Sequence, residues 1–443
     1  MNISVIGLGK LGLCTAACFA AAGHRVTGYD MHDQLRLELR KGICPIDETG
    51  LPALLERAGS NLQIADSCQE AVANSEITLI IVPTPSMQNG RFTNQYVVRV
   101  LEDLVPALQA KNGFHVVDVV STVMPGSAER EFIPLLESKT GKRCGIDFGL
   151  VYNPEFIALG SVVRDFLNPD MVLIGASDER SGNMVQELYT TTCVSAPSFQ
   201  VMSLINAEIT KISLNCFVTM KISYANALAE LCEQVPGADV DAVTKAVGAD
   251  SRVGGKYLKG GIGFGGPCFP RDNIAFQAFA EEFGAEALLG KAVVSVNNSI
   301  PQRLLGRITA HCAQPAQVVL MGMSYKADTH IVEESQAVML AQLLLNTGYS
   351  VTVHDPRALG AVRQVLGDAV RYCSDPYQAA AGAKAIILLT DWPEYRELDW
   401  TRIAAQSSAP CLLLDAWRTA HAAAAAGLLY CPVGVHTQLE AQG

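Results

Sequence analysis

Ile3–Ile6 is a short β-branched run closed by Gly7, and the small apolar residues from about Gly9 to Ala22 predict a helix that Gly23 stops. Arg25–Tyr29 reads as a second strand with Asp30 at its end, so the chain opens with the layout of a β-α-β unit. Further runs at Ile77–Val82, His115–Val120 and Phe148–Val151 each follow a helical stretch. Such alternation predicts a mostly parallel sheet covered on both faces. From about Ser203 the pattern turns helical. Ala207–Glu233 is one long helix by its period, ended by Val235-Pro236-Gly237. Gly254–Pro270 holds seven Gly and two Pro, too many for a regular element, and is read as a loop. Strands return at Val318–Met321, Ser350–His354, Ala385–Leu389 and Cys411–Leu414, followed by Gly322, Asp355, Thr390 and Asp415, which repeats the opening order. The fold class is therefore α/β: two doubly wound Rossmann-like domains, residues 1–202 and 311–443, joined by a central all-α segment, residues 203–310, containing a long helix.

Composition narrows the function. The 443 residues are 49% hydrophobic and 17% charged, enough apolar material for several cores. A net charge of −11 argues against broad attraction to nucleic acid or to an anionic membrane. The 13 cysteines are scattered, with no C-x-x-C pair and no Cys/His cluster at zinc spacing, so neither a disulfide framework nor a metal site is expected. A cytoplasmic location fits the cysteine usage. The opening MNISVIGLGKLG lacks the basic start and cleavage site of a signal peptide, and Leu13–Ala22 is too short to span a bilayer.

Five motifs carry chemistry. Gly7-x-Gly9-x-x-Gly12 lies between strand and helix, where glycines allow a tight turn and close approach of a pyrophosphate. Asp30 follows at the end of the second strand, placed to accept from an adenosine ribose and to repel a 2′-phosphate, which favours NAD over NADP; the motif alone leaves FAD open. Cys268 closes a glycine run four residues before Asp272. A helix starting near Pro270 puts its sulfur at a helix N-terminus, where a thiolate nucleophile is favoured over the ordinary role of a cysteine as a small buried hydrophobe. Lys211 and Asn215 share one face of the long helix, a pattern more often solvated than catalytic. Asn153-Pro154-Glu155-Phe156 and Ser121-Thr122 fall at the carboxyl edge of the first sheet, where such sheets bind ligands, although either is ordinarily a turn or a cap.

Together with AEITKISLN at Ala207–Asn215, DSRVG at Asp250–Gly254, GFGGPCFPRD at Gly263–Asp272 and GMSYKADT at Gly322–Thr329, these segments resemble the nucleotide-sugar 6-dehydrogenase family of UDP-glucose and GDP-mannose dehydrogenases. The resemblance runs from Ile3 to about Arg418. It implies oxidation of a sugar's primary alcohol to the acid, two NAD consumed per sugar, through a cysteine-bound thiohemiacetal and thioester. On that resemblance Cys268 is the nucleophile; Lys211, Asn215 and Asp272 stabilise alkoxide charge and orient proton transfer; Thr122 and Glu155 position water or relay protons. Gly7, Gly9, Lys10, Leu11, Gly12, Asp30, Thr84, Thr122, Glu155 and Lys326 are implied around the cofactor. Glu155, Phe156, Lys211, Asn215, Arg252, Tyr257, Gly265, Gly266 and Lys326 are implied around the nucleotide sugar, Arg252 across a subunit contact. A homodimer or higher homo-oligomer built on the helical segment is also implied.

The chain departs from the family pattern in places. Pro267 and Arg271 replace the Ser before the cysteine and the Lys before the aspartate; Val120 replaces a Lys; His330, Ile331 and Glu333 replace an acidic pair and an Arg; and the Asp-Gly-Arg element reads Asp415-Ala-Trp-Arg418. The cysteine loop lies closer to the glucose and mannose branch than to the N-acetylhexosamine branch, which ranks UDP-glucose first, ahead of GDP-mannose and UDP-N-acetylhexosamines. Two other readings are a single-hydride 3-hydroxyacid-type dehydrogenase, which needs no cysteine, and an NAD-binding redox sensor.

Overall fold

The computed structural model describes residues 1–157 and 160–437; residues 438–443, the end of the predicted third segment, lie outside the described residues. The chain forms two compact units, Met1–Ser213 and Leu214–Gly443. The boundary falls inside a continuous helix, Leu204–Gln234, the long helix of the sequence pattern.

The first unit holds eight strands: β1 (Asn2–Ile6), β2 (Arg25–Tyr29), β3 (Leu62–Ile64), β4 (Ile77–Ile80), β5 (His115–Val119), β6 (Phe148–Tyr152), β7 (Met171–Ala176) and β8 (Ser198–Met202). Their order is β3-β2-β1-β4-β5-β6-β7-β8, and only the β6–β7 pairing is antiparallel. Strands β4, β5 and β6 are buried along their whole length, which is why they read as continuous apolar runs and not as alternating ones. One face packs on helix Lys10–Ala21, whose Leu13, Cys14, Ala17 and Cys18 are fully enclosed. The other face packs on helices that bring Val97, Leu101 and Phe132.

The second unit carries β9 (Gln317–Met321), β10 (Ser350–His354), β11 (Arg371–Tyr372), β12 (Ala385–Leu388), β13 (Leu412–Asp415) and β14 (Leu429–Pro432), all parallel in the order β11-β10-β9-β12-β13-β14. The expected repetition is visible in the hydrogen bonds. Gly7 N–H donates to Tyr29 O at 2.8 Å and Gly322 N–H to His354 O at 2.9 Å. The Asp30 carboxylate accepts from Leu8 N–H at 2.8 Å, and the Asp355 carboxylate from Met323 N–H at 2.7 Å. Each aspartate thus ties the turn after the first strand of its sheet to the end of the second.

Five strands go beyond the sequence pattern. β3 and β11 are edge strands of three and two residues, too short for a period. β8 and β14 alternate only weakly in exposure. β7, MVLIGA, is as apolar as β1 and follows a helix of only six residues, Val162–Leu167, which hides its place in the alternation.

Candidate active site

The glycine turn in the first unit is built by exclusion. Gly7 has φ +96°, and a Cβ there would lie 2.2 Å from Ile81 O; a Cβ on Gly12 would lie 1.9 Å from Gly7 O. No side chain fits either place, whereas Gly9 faces open space at the start of helix Lys10–Ala21, which has no side-chain cap. An uncapped helix N-terminus behind an open glycine fits a dinucleotide pyrophosphate. Asp30 is buried, and its two oxygens hold Leu8 N–H and His32 N–H at 2.8 and 2.9 Å, so it braces the turn that it also faces. Lys10 pairs with the buried Glu48 at 3.0 Å, and Glu48 also accepts from Val162 N–H at 2.9 Å. Leu11 packs against the core beside this turn. Thr84 donates to Thr122 O at 2.6 Å, joining the loops after β4 and β5 at the carboxyl edge of the sheet.

Beyond β6, the buried turn Asn153-Pro154 leads to Glu155 and Phe156. Burial pushes the Glu155 carboxyl up to about 7, against the opposing pull of the Tyr189 hydrogen bond and the Lys211 charge. Tyr189 is itself buried and donates to Glu155 Oε1 at 2.8 Å. Lys211 is 7% exposed; its Nζ donates to Glu155 O at 2.5 Å and sits 4.4 Å from the centre of the Phe156 ring. The solvated-face alternative for Lys211 is therefore wrong. One turn ahead of it, the fully buried Glu208 accepts from Gly126 N–H at 2.6 Å and Ala128 N–H at 2.9 Å, and burial pushes its carboxyl up to about 7. Sequence reasoning missed Asp118, Tyr189 and Glu48. For Asp118 there was a signal, a carboxylate inside the apolar run of β5; for the other two there was none.

In the second unit, the helix expected near Pro270 spans Phe269–Glu282, and Cys268 is its N-cap residue. The thiol belongs to an exposed residue; no disulfide joins any of the 13 cysteines. Asp272, 3% exposed, lies one turn on, and its Oδ2 accepts from Asn215 Nδ2 at 2.6 Å. The next residue, Asn273, donates to Thr219 Oγ1 at 2.9 Å, one turn beyond Asn215 on the long helix, so two adjacent residues of the Cys268 helix are tied to it. The preceding loop is ordered by two asparagines. Asn226 exchanges hydrogen bonds with Gly261 N–H and Ile262 O, and Asn297 with both backbone groups of Phe264. Gly265 presses on Glu334 O and Gly266, at φ +82°, on the Tyr325 ring, where a Cβ would come within 2.3 and 2.6 Å respectively. Gly266 N–H donates to Glu333 O at 2.9 Å. Lys326 Nζ lies 5.8 Å from the centre of the Tyr325 ring. Tyr257 is exposed, with φ +62° and an edge contact to the Phe269 ring. Arg252 is exposed and closes a fork on Asp250 at 2.7 and 3.0 Å. Arg418, the end of the altered Asp415-Ala-Trp-Arg418 element, is 5% exposed and forks onto Asp241 at 2.7 and 2.8 Å.

Among the described residues no group of His, Cys, Asp and Glu could hold a metal ion, and no helix is long and apolar enough to cross a membrane. A cavity of about 620 Å³ lined by Gln69, Glu76, Lys111 and Phe114 opens at the amino-terminal edge of β4 and β5, opposite the glycine turn.

Comparison with known proteins agrees with this geometry. Residues 1–193 match the NAD-binding domain of the UDP-glucose/GDP-mannose dehydrogenase family, residues 205–299 its central domain and residues 319–422 its UDP-binding domain. A UDP-glucose 6-dehydrogenase of Haloferax volcanii is 34% identical over 402 residues, 90% of this chain and 93% of that one. One from Rhizobium meliloti is 33% identical over 422 residues, covering 93% and 94%. The solved UDP-glucose dehydrogenase of Pyrobaculum islandicum superposes with a TM-score of 0.88 at 35% identity, covering 98% of this chain and 97% of that one. A glycine turn shaped for a dinucleotide, a cysteine heading a helix and three matched domains in order carry one conclusion: the chain belongs to the UDP-glucose/GDP-mannose dehydrogenase family and is an NAD-dependent nucleotide-sugar 6-dehydrogenase.

Proposed function

We propose that the chain converts UDP-glucose to UDP-glucuronate by two successive oxidations at the sixth carbon of the sugar, with Cys268 as the covalent nucleophile. The observation that carries this reading is Cys268 at the N-cap of helix Phe269–Glu282, exposed, with the Asn215–Asp272 pair one turn behind it. NAD, when bound, accepts a hydride in each oxidation; Gly7, Gly9, Gly12 and the N-terminus of helix Lys10–Ala21 hold its pyrophosphate and Asp30 its ribose.

In the first oxidation the alcohol loses a proton and a hydride. Lys211 stabilises the alkoxide charge, and Asn215 and Asp272 orient the proton transfer. The Cys268 thiolate then adds to the aldehyde carbon: a C–S bond forms and the carbonyl π pair moves to oxygen. Loss of the second hydride from this thiohemiacetal gives a thioester. Water, positioned by Thr122 and Glu155, adds to the thioester carbon, the C–S bond breaks, and the thiolate returns with the acid released. Gly265, Gly266, Tyr257, Phe156 and Lys326 belong on this reading to nucleotide-sugar binding; of these, Lys326 lies within the UDP-binding match at residues 319–422.

The segments 1–202, 203–310 and 311–443 serve as the NAD-binding, dimerisation and nucleotide-sugar-binding domains. The dimer assignment is supported by Phe217, Tyr224 and Leu231, seven residues apart on the long helix and each more than half exposed. Arg252 reaches the substrate of the second subunit, and thirteen cysteines without a disulfide suit a reducing cytoplasm.

The test is a panel of UDP-glucose, UDP-N-acetylglucosamine, UDP-galactose and GDP-mannose followed by NADH absorbance, with mass spectrometry of Cys268→Ala and Cys268→Ser. Two NADH per UDP-glucose, no covalent adduct on Cys268→Ala and loss of sustained acid production in Cys268→Ser are expected. Full two-NADH turnover by Cys268→Ala refutes covalent catalysis; one NADH per substrate refutes the double oxidation.

A further inference from the structure

Asp118 lies in β5, in the middle of the first sheet, and is 0% exposed. It pairs in register with Leu79 of β4 and Val151 of β6, so an apolar residue would satisfy every demand of the strand. Neither of its carboxyl oxygens has a hydrogen-bond partner among the described residues. A carboxylate left in that state carries a desolvation cost that no neighbouring cation offsets, so the group must be neutral.

A neutral carboxylic acid is a donor. Five titratable groups sit on the elements around it. Tyr189, on helix Glu179–Thr190, is held well above the ordinary phenol range by burial first, and lies within electrostatic reach of Glu155 and Asp118. Cys18, on helix Lys10–Ala21, and Cys193, beyond helix Glu179–Thr190, both feel Glu155, and burial raises both thiols. Lys211 is bound to the Glu155 carbonyl. Burial first, and then the neighbouring Glu155 carboxylate, push the Asp118 carboxyl well above the ordinary carboxylate range. Tyr189 donates to Glu155 Oε1, which leaves acceptor sites on that carboxylate for a second donor.

We propose that Asp118 is a protonated positioning residue of the active site, whose hydroxyl proton is directed at the Glu155 carboxylate across one water and steadies that carboxylate when it is ionised. The consequence for catalysis rests on the role given above to Glu155; the proton on Asp118 does not.

Infrared spectroscopy of the full chain separates the two. At about pH 9 Glu155 and Glu208 are ionised, and the carbonyl stretch of a protonated carboxyl persists in the wild type and is lost in Asp118→Asn. Asp118→Val, which removes the donor, moves the titration midpoint of Glu155 up by about one pH unit, whereas Asp118→Asn, which keeps an N–H donor, leaves it within a few tenths. The same ordering in the pH dependence of kcat ties the pair to turnover. Absence of the band at about pH 9 overturns the proposal, as does an equal shift in both variants, which marks a packing role. Should Asp118→Val fail to fold, the band and its loss in Asp118→Asn still decide. A retained band with full turnover in Glu155→Gln supports the proton on Asp118 and refutes only the role of Glu155.

Discussion

Replacing Arg418 by alanine removes one side chain and strands several others. Its Nη2 donates to Gly260 O at 2.8 Å, and its Nη1 to Val433 O at 2.8 Å and Ala416 O at 3.1 Å, in addition to the fork on Asp241. Three carbonyls facing a buried guanidinium lose their donor, at about 1 kcal/mol each, and the Asp241 pair, whose carboxylate side chain is 46% exposed, adds about 0.5–1 kcal/mol, for a total of about 3.5–4 kcal/mol. The backbone supplies a control. Arg418 has φ +57°, a left-handed conformation that costs a non-glycine residue about 1 kcal/mol, so Arg418→Gly should be less destabilised than Arg418→Ala although both lose every hydrogen bond. Arg418→Lys keeps the charge but cannot fork, and falls between wild type and alanine. Urea unfolding read by tryptophan fluorescence ranks the four proteins, with Trp392, Trp400 and Trp417 all in the same unit. Because Gly260 lies in the loop that ends at Cys268, kcat falls along the same series. Alanine and glycine variants that unfold within about 0.5 kcal/mol of wild type would refute the reasoning, since surface substitutions alone have effects of that size.

Three further outcomes follow from individual side chains. Lys211→Ala should lower kcat by about 10²–10³ with little change in KM, as expected when one contact to developing charge is lost; stopped-flow measurement of the first hydride transfer checks it. Glu208 and Glu155 bind protons more tightly folded than unfolded, so their contribution to stability is present below the ordinary carboxylate range and is lost as pH rises toward and past about 7. Glu208→Gln should therefore flatten the fall in melting temperature between about pH 5 and about pH 8, and an unchanged slope rejects burial as the cause. Tyr224→Asp combined with Leu231→Asp should halve the mass seen by analytical ultracentrifugation; a wild type that sediments as a monomer removes the long helix as the subunit contact.

The parts of the fold that were legible in the sequence are those decided by neighbours along the chain. Gly7 and Gly12 are fixed by a turn that has no room for a Cβ, Cys268 by a helix whose second residue is Pro270, and Lys211 and Asn215 by one helical turn. Every distant pairing was hidden, because no local preference selects it. Lys10 sits inside the glycine motif, yet its partner Glu48 comes from a loop after the second strand. Arg418 meets Asp241 across 177 positions. Asp30 was legible as a residue at a strand end, but its hold on Leu8 N–H, repeated by Asp355 on Met323 N–H, is visible only with both turns in place. These distant contacts are also where chemistry is adjusted. Glu155 is an ordinary carboxylate in the sequence; the fold removes its water, gives it Tyr189 and Lys211, and so brings its proton affinity to neutrality. The acid in β5 follows the same logic further. A carboxylate within HVVDVV contradicts the apolar run around it, and at a position where valine would pack such a contradiction points to the proton proposed for Asp118.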